Sequence, residues 1–378
     1  MRSFTVGEVW DIPIRINTSL LIFLPVLAWL IGSGQQIELY AGVIEGFTGV
    51  GFEPGRLRAG SNAWIIGISA AVGLFVSVMV HELGHSWVAL RYDIEIESIT
   101  LWILGGMAAL TSIPKEWNRE FWIAIAGPIT SLLVAGACYV AAVLSPESLQ
   151  VPRFVVGWLA ITNVTLAVFN MLPAFPMDGG RILRALLARS QPYGTATKTA
   201  ARIGVVFALL FAVVGVLTFQ LLLLLLALFI YAAATTESRT VLLEELLTGL
   251  TVDDVMSRDP PQIDADESIE AFGRHLLRDR REVHLVVDDG ELLGVVTLAD
   301  LRGVERGEHA STRVGDVTRD VPRVEPDDDA FDTLALLRSH GTITAIVEAD
   351  GETVGTLSQS DYGAVISFQQ GFQTTVPA

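Results

Sequence analysis

An apolar run from Ala63 to Val80 ends in His81-Glu82-Leu83-Gly84-His85, and this junction limits what the chain can become. With its flanks the run approaches the roughly 20 residues that a helix needs to cross a hydrocarbon core. Ionisable side chains at that depth are costly unless they are paired or metal-bound, so they mark function by default. On a helix, residues four apart share a face, and His81 and His85 can direct imidazole nitrogens at one metal ion. Glu82, between them, is placed to take a proton from water at that metal. The bland alternative is a surface or core helix with unrelated His and Glu; the membrane-length context argues against it.

A catalytic zinc site takes three protein ligands and keeps a fourth position open. The other four histidines (His275, His284, His309, His340) lie far downstream in a polar region. The third ligand is therefore expected to be a carboxylate within the apolar part, and Asp178 is the best candidate. It sits in Asn170-Met171-Leu172-Pro173-Ala174-Phe175-Pro176-Met177-Asp178-Gly179-Gly180-Arg181. Pro173 and Pro176 forbid regular helix there, and the two glycines leave the backbone free to turn. Irregular backbone at membrane depth is tolerated where it lines a cavity. The competing role for Asp178 is to cap the following helix.

The two motifs together resemble the site-2 protease family of intramembrane zinc proteases. Its signatures are H-E-x-x-H on one transmembrane helix and N-x-x-P-x-x-P-x-D-G on a later one. Both occur in order here, with Met177 where Leu is common, and the resemblance extends to about residue 240. It implies one Zn2+ per chain held by His81, His85 and Asp178, with Glu82 as the catalytic acid–base. It implies Asn170 as a second catalytic group, facing the substrate backbone or the tetrahedral oxyanion; a helix–helix hydrogen bond is the alternative. The implied substrate is a transmembrane protein.

Charge divides the 378 residues into two parts. To residue 240 there are 14 acidic and 14 basic residues; from 241 to 378 there are 28 acidic and 11 basic, the whole source of the formal net charge of −17. A membrane domain over 1–240 and an acidic soluble domain over 241–378 are expected. There are only two lysines, Lys115 and Lys198. This acidic, Lys-poor composition resembles that of proteins from salt-rich cytoplasm, as in halophilic archaea. It argues against nucleic acid as a partner, which calls for clustered Lys and Arg. The single Cys138, in an apolar run, permits no disulfide framework. The N-terminal segment has no cleavage site after its apolar run and is not read as a signal peptide.

Six spans are expected, over 20–31 (extended to Thr18 and Ser33), 63–90, 121–144, 158–171 (starting near Phe154), 203–217 and 221–234, with one long helix over 203–234 as the competitor to the last two. Residues 34–60 read as an external loop or amphipathic piece, residues 5–16 as a short hairpin, and Gly127-Pro128 as a kink. Residues 94–101 alternate apolar and polar side chains, the strand period, and lead into Leu104-Gly105-Gly106. In the resembled family such a β-segment dips into the membrane beside the active site, where it can pair with an extended substrate; an ordinary surface hairpin is the alternative. With a cytosolic N-terminus, eleven basic residues of the first part face inside and three (Arg56, Arg58, Arg153) face outside, as the positive-inside rule asks. The chain thus reads as a multi-pass protein of the cell membrane with a cytoplasmic C-terminal domain.

That domain repeats itself. Gly294-Val295-Val296-Thr297-Leu298-Ala299-Asp300 is matched 61 residues later by Gly355-Thr356-Leu357-Ser358-Gln359-Ser360-Asp361. A period of this size is one supersecondary unit used twice. The pattern resembles a pair of CBS domains, over 251–305 and 313–366. The resemblance implies an adenine nucleotide (AMP or ATP), with Asp300 and Asp361 at ribose hydroxyls and Thr297 and Ser358 near phosphate. It also implies a homodimer through the CBS domains; a scaffold that binds nothing is the alternative. The fold class expected is a polytopic α-helical membrane domain of about six spans, with a short membrane-associated β segment, followed by an α/β tandem CBS module. The expected function is nucleotide-modulated intramembrane proteolysis; the alternative is a CBS-regulated ion or metal transporter.

Overall fold

The first strands, β1 (Ser3–Val9) and β2 (Ile12–Asn17), form an antiparallel hairpin whose two turn residues, Trp10 and Asp11, both have positive φ. Such two-residue turns match the right-handed twist of the strands they join. The computed structural model describes residues 3–375 apart from 104, 111–113, 280, 306 and 343. It divides into two units, Met1–Ser238 and Arg239–Ala378.

In the first unit, Asn17 caps α1 (Thr18–Gly32), its Oδ1 accepting from the Ser19 N–H at 2.9 Å. Next come α2 (Gly34–Thr48), α3 (Pro54–Leu57) and α4 (Asn62–Leu90), then β3 (Ile96–Trp102) and β4 (Gly105–Leu110). After these follow α5 (Trp117–Leu144), α6 (Gln150–Asn170), α7 (Asp178–Ala188), α8 (Tyr193–Leu217) and α9 (Leu221–Leu247). Five of these helices (α4, α5, α6, α8, α9) are long and apolar enough to cross a membrane, and α1 with α2, bent by 74°, makes up to a sixth crossing. Their outward faces carry Leu133, Val206, Leu222 and Leu228, all more than half exposed, as hydrocarbon requires of a lipid-facing surface. The chain is a multi-pass membrane protein.

Close packing here uses small residues. A Cβ on Gly32 would overlap the Ala63 carbonyl, and one on Gly67 the Ala28 carbonyl, so α1 and α4 touch backbone to backbone. Between α4 and α6 the buried Asn163 Nδ2 donates to Ser77 Oγ at 2.9 Å, a bond worth on the order of 1 kcal/mol between membrane helices.

Two expectations are revised and a third, two helices over 203–234, is met. The segment after the first span is helical from Gly34, and Ile37, Ala41 and Ile44 are buried against Ile66, Phe154 and Trp158. The fourth span starts at Gln150, with Phe154 fully buried, because this amphipathic helix extends beyond its most apolar stretch. Over 203–234 there are two helices, separated at Thr218–Gln220 with Phe219 at positive φ. Gly127 and Pro128 lie within the unbroken helix α5. The terminal hairpin and the later β segment prove to be one sheet, in the order β1-β2-β3-β4, because β2 and β3 pair in parallel. Leu104 of that segment lies outside the described residues.

The second unit comprises α10 (Val252–Val255), β5 (Ser257–Arg258), β6 (Gln262–Asp264), α11 (Ile269–Asp279), β7 (Val283–Asp288), β8 (Glu291–Thr297) and α12 (Leu298–Arg302). Its second half has α13 (Val314–Val317), β9 (Arg323–Val324), α14 (Ala330–Ser339), β10 (Thr344–Ala349), β11 (Glu352–Ser358) and α15 (Gln359–Thr375). Each repeat turns its hairpin on an Asp-Gly pair at positive φ, Asp289-Gly290 and Asp350-Gly351. The sheets are β6-β7-β8 and β5-β11-β10-β9. The repeats exchange their leading segments: Ser257 pairs with Thr356 of β11, and Arg319 bridges to Val295 of β8.

Candidate metal centre

One turn of α4 separates His81 from His85, and α7 delivers Asp178 to both. His81 Nε2 lies 3.2 Å from Asp178 Oδ2 and 3.2 Å from His85 Nε2, and His85 Nε2 lies 3.2 Å from the same carboxylate oxygen. All three side chains are buried. Donors bound to one tetrahedral zinc at about 2.0 Å stand about 3.3 Å apart, so this triangle has the size that zinc requires. The donor chemistry agrees. His85 Nδ1 donates to the Ile123 carbonyl at 2.7 Å, which leaves a lone pair on Nε2. His81 Nδ1 is held by Ser131 Oγ at 2.8 Å. Lone pairs and a carboxylate that converge in a buried site call for a cation, and outer partners of this kind orient histidine ligands.

Local structure explains the convergence. Met177 is the N-cap of α7 and Asp178 its first residue, so the aspartate side chain is free to face the histidines rather than to cap the helix. The turn before it is tight: a Cβ at Gly179 would overlap the Met171 and Leu172 carbonyls, and one at Gly180 the Ala174–Phe175 backbone. Opposite the histidines, a Cβ at Gly127 would overlap the Nε2 atoms of both rings. Glu82, half-buried, lies against β4, where a Cβ at Gly106 would overlap its side chain. Asn170 is the half-buried last residue of α6.

Three features escaped sequence reasoning. Ile123, Gly127 and Ser131 form a stripe four residues apart on α5 that supports the histidines; the small residues were visible, but not what they face. Arg184 of α7, 1 % exposed, donates to Glu120 of α5 through Nε at 2.8 Å and Nη2 at 2.5 Å, and to Glu237 of α9 at 2.5 Å. Its guanidinium also stacks near Phe175 and Tyr193. The third feature is the edge position of β4, which ends the sheet order, so no strand covers its outer side among the described residues.

In the second unit the repeat residues form two similar corners. Asp300 Oδ2 accepts from the Thr297 N–H at 2.8 Å and its hydroxyl at 2.6 Å; Asp361 Oδ2 accepts from the Ser358 N–H at 2.8 Å and its hydroxyl at 2.6 Å. A cavity of about 270 Å3 opens beside Asp361, lined also by Ser257, Arg281, Ser358 and Ser360.

A buried His–His–Asp triad with an adjacent glutamate, between membrane-length helices, defines the class as a zinc metalloprotease of the membrane. The model of peptidase family M50 matches residues 69–150 and 147–211, and the CBS domain model matches 252–307 and 314–362. A zinc metalloprotease of Methanocaldococcus jannaschii is 38 % identical over 232 residues, 61 % of this chain and 68 % of that one. Rip3 of Mycobacterium tuberculosis, named provisionally as a zinc metalloprotease, is 31 % identical over 379 residues, 95 % of this chain and 92 % of its own. The solved site-2 protease from Methanocaldococcus jannaschii is 33 % identical and covers 63 % of this chain and 96 % of its own, with a TM-score of 0.43. The chain belongs to peptidase family M50, the site-2 proteases, and carries a tandem CBS module.

Proposed function

We propose that this zinc metalloprotease cuts transmembrane proteins within the bilayer and that adenine nucleotide at its CBS pair modulates the cutting. The observation that carries the first half is the convergence of His81, His85 and Asp178, whose ligand atoms lie within 4.8 Å of one another in a buried site. Zinc held by these three residues would supply a Lewis acid for water and for the scissile carbonyl. Glu82, next to His81 on the same helix, accepts the proton of the attacking water and returns it to the leaving amine. Asn170, closing α6, meets the substrate backbone or the developing oxyanion. The outer edge of β4, beside Glu82, offers backbone groups to an unwound substrate segment by strand addition.

The nucleotide half rests on the cavity beside Asp361 and Ser358, with Arg281 supplying a cation for phosphate in an acidic domain that has no lysine. Thr297 and Asp300 form the matching corner of the first repeat. The CBS module lies in the cytoplasm, as the excess of basic residues in that set of loops asks, and pairs with a second copy as a homodimer.

The test is cleavage of a single-span substrate by the purified protein and by Glu82→Gln, with and without ATP. Wild type should cut and Glu82→Gln should keep its zinc without cutting. Cleavage retained by Glu82→Gln would sink the assignment of the base, and a rate indifferent to ATP would sink the sensor.

A further inference from the structure

We propose that only one of the two CBS clefts, the one at Asp361, is open to an adenine nucleotide, because the chain's own Arg319 fills the other. The inference rests on the nucleotide reading given above. It comes from a difference between two corners that are otherwise built alike.

The exchanged leading segments place one residue of the opposite repeat against each aspartate. Ser257 bridges to the second repeat at Thr356, and Arg319 bridges to the first at Val295, the residue 61 positions earlier. Ser257 and Arg319 are therefore equivalent positions. At one corner Ser257 Oγ donates to Asp361 Oδ1 at 2.7 Å. At the other, Arg319 Nε meets Asp300 Oδ1 at 2.7 Å, Nη2 donates to Asp300 Oδ2 at 3.0 Å, and Nη2 also reaches Thr297 Oγ1 at 3.3 Å.

The two contacts leave different room and different valence. A serine hydroxyl is small and can rotate away, and beside it lies the cavity of about 270 Å3. The arginine forks onto both oxygens of Asp300, a charge-assisted bidentate pair about twice as strong as a neutral hydrogen bond. A ribose diol would have to displace that fork to reach the carboxylate. The repeats differ a second time in the same sense. Arg281 lines the open cleft, whereas Thr342 stands 61 residues later at the matching position before β10. The open cleft thus has an acceptor, Asp361 Oδ1, held only by a small hydroxyl that a ribose can replace, and a cation for phosphate. The Asp300 cleft has its acceptor engaged and a neutral residue in the other place.

Equilibrium dialysis of the purified full-length protein against radiolabelled ATP, and separately AMP, tests this. Wild type should bind one nucleotide per chain and Arg319→Ser two. Ser257→Arg should bind none. The exchange variant carrying both substitutions should bind one, now lost on Asp300→Ala rather than on Asp361→Ala. Two nucleotides on the wild type, or no gain with Arg319→Ser, overturns the inference while leaving the nucleotide reading intact. Weaker binding by Arg319→Ser would make Arg319 a phosphate ligand and overturns it as well. No binding by wild type and Arg319→Ser alike overturns the nucleotide reading itself.

Discussion

Ser131 shows how much of this site is decided by single atoms outside the ligand set. Its hydroxyl holds His81 Nδ1 at 2.8 Å, while a backbone carbonyl does the same for His85, which no side-chain substitution can remove. Ser131→Ala should lower zinc affinity roughly 10- to 100-fold, the range for loss of an outer partner of a metal-bound histidine. Competition with a chromogenic chelator would read this, and an unchanged affinity would show that packing alone orients the ring. Gly127 acts at the same scale by having no side chain: its place beside both Nε2 atoms admits no methyl group.

Among the elements, α7 is the one that most needs holding, because eleven residues deliver Asp178 across to α4. Arg184, two turns on, ties α7 to α5 through Glu120 and to α9 through Glu237. Burying such a network gives little net stability, but removing one member leaves charge uncompensated. Arg184→Met leaves Glu120 fully buried and facing Glu237, and should cost about 3–5 kcal/mol. Thermal unfolding would register the loss, and bound zinc should fall with it because Asp178 shares the helix. Arg184→Lys keeps the charge without the fork and should fall between. Equal zinc content in all three proteins would mean that the turn at Gly179-Gly180 places Asp178 unaided.

For the whole molecule, the proposed orientation puts the basic loops of the first unit and the CBS module on the inside. A chain with Cys138 replaced by Ala and one new cysteine reads it directly. Glu147→Cys, in the exposed connection between α5 and α6, should react with an impermeant thiol reagent added outside intact cells. Asp327→Cys, exposed in the CBS module, should react only after permeabilisation. The reverse pattern would invert the topology.

The sequence by itself determined the class of fold and the identity of the candidate ligands. Apolar run length reports membrane crossing, four-residue spacing places His81 and His85 on one face, and the 61-residue period exposes the repeat; all of these are local properties of a chain. Helix α2 was less legible because its apolar residues are diluted by Gly, Glu and Gln. What only tertiary structure decided was pairing across distance. It joined the terminal hairpin to β3 through a parallel ladder, set Ser131 on His81 and linked Arg184 to Glu120 and Glu237. These partners are fixed by which surfaces meet once helices and strands pack, and no periodicity along the chain encodes that meeting.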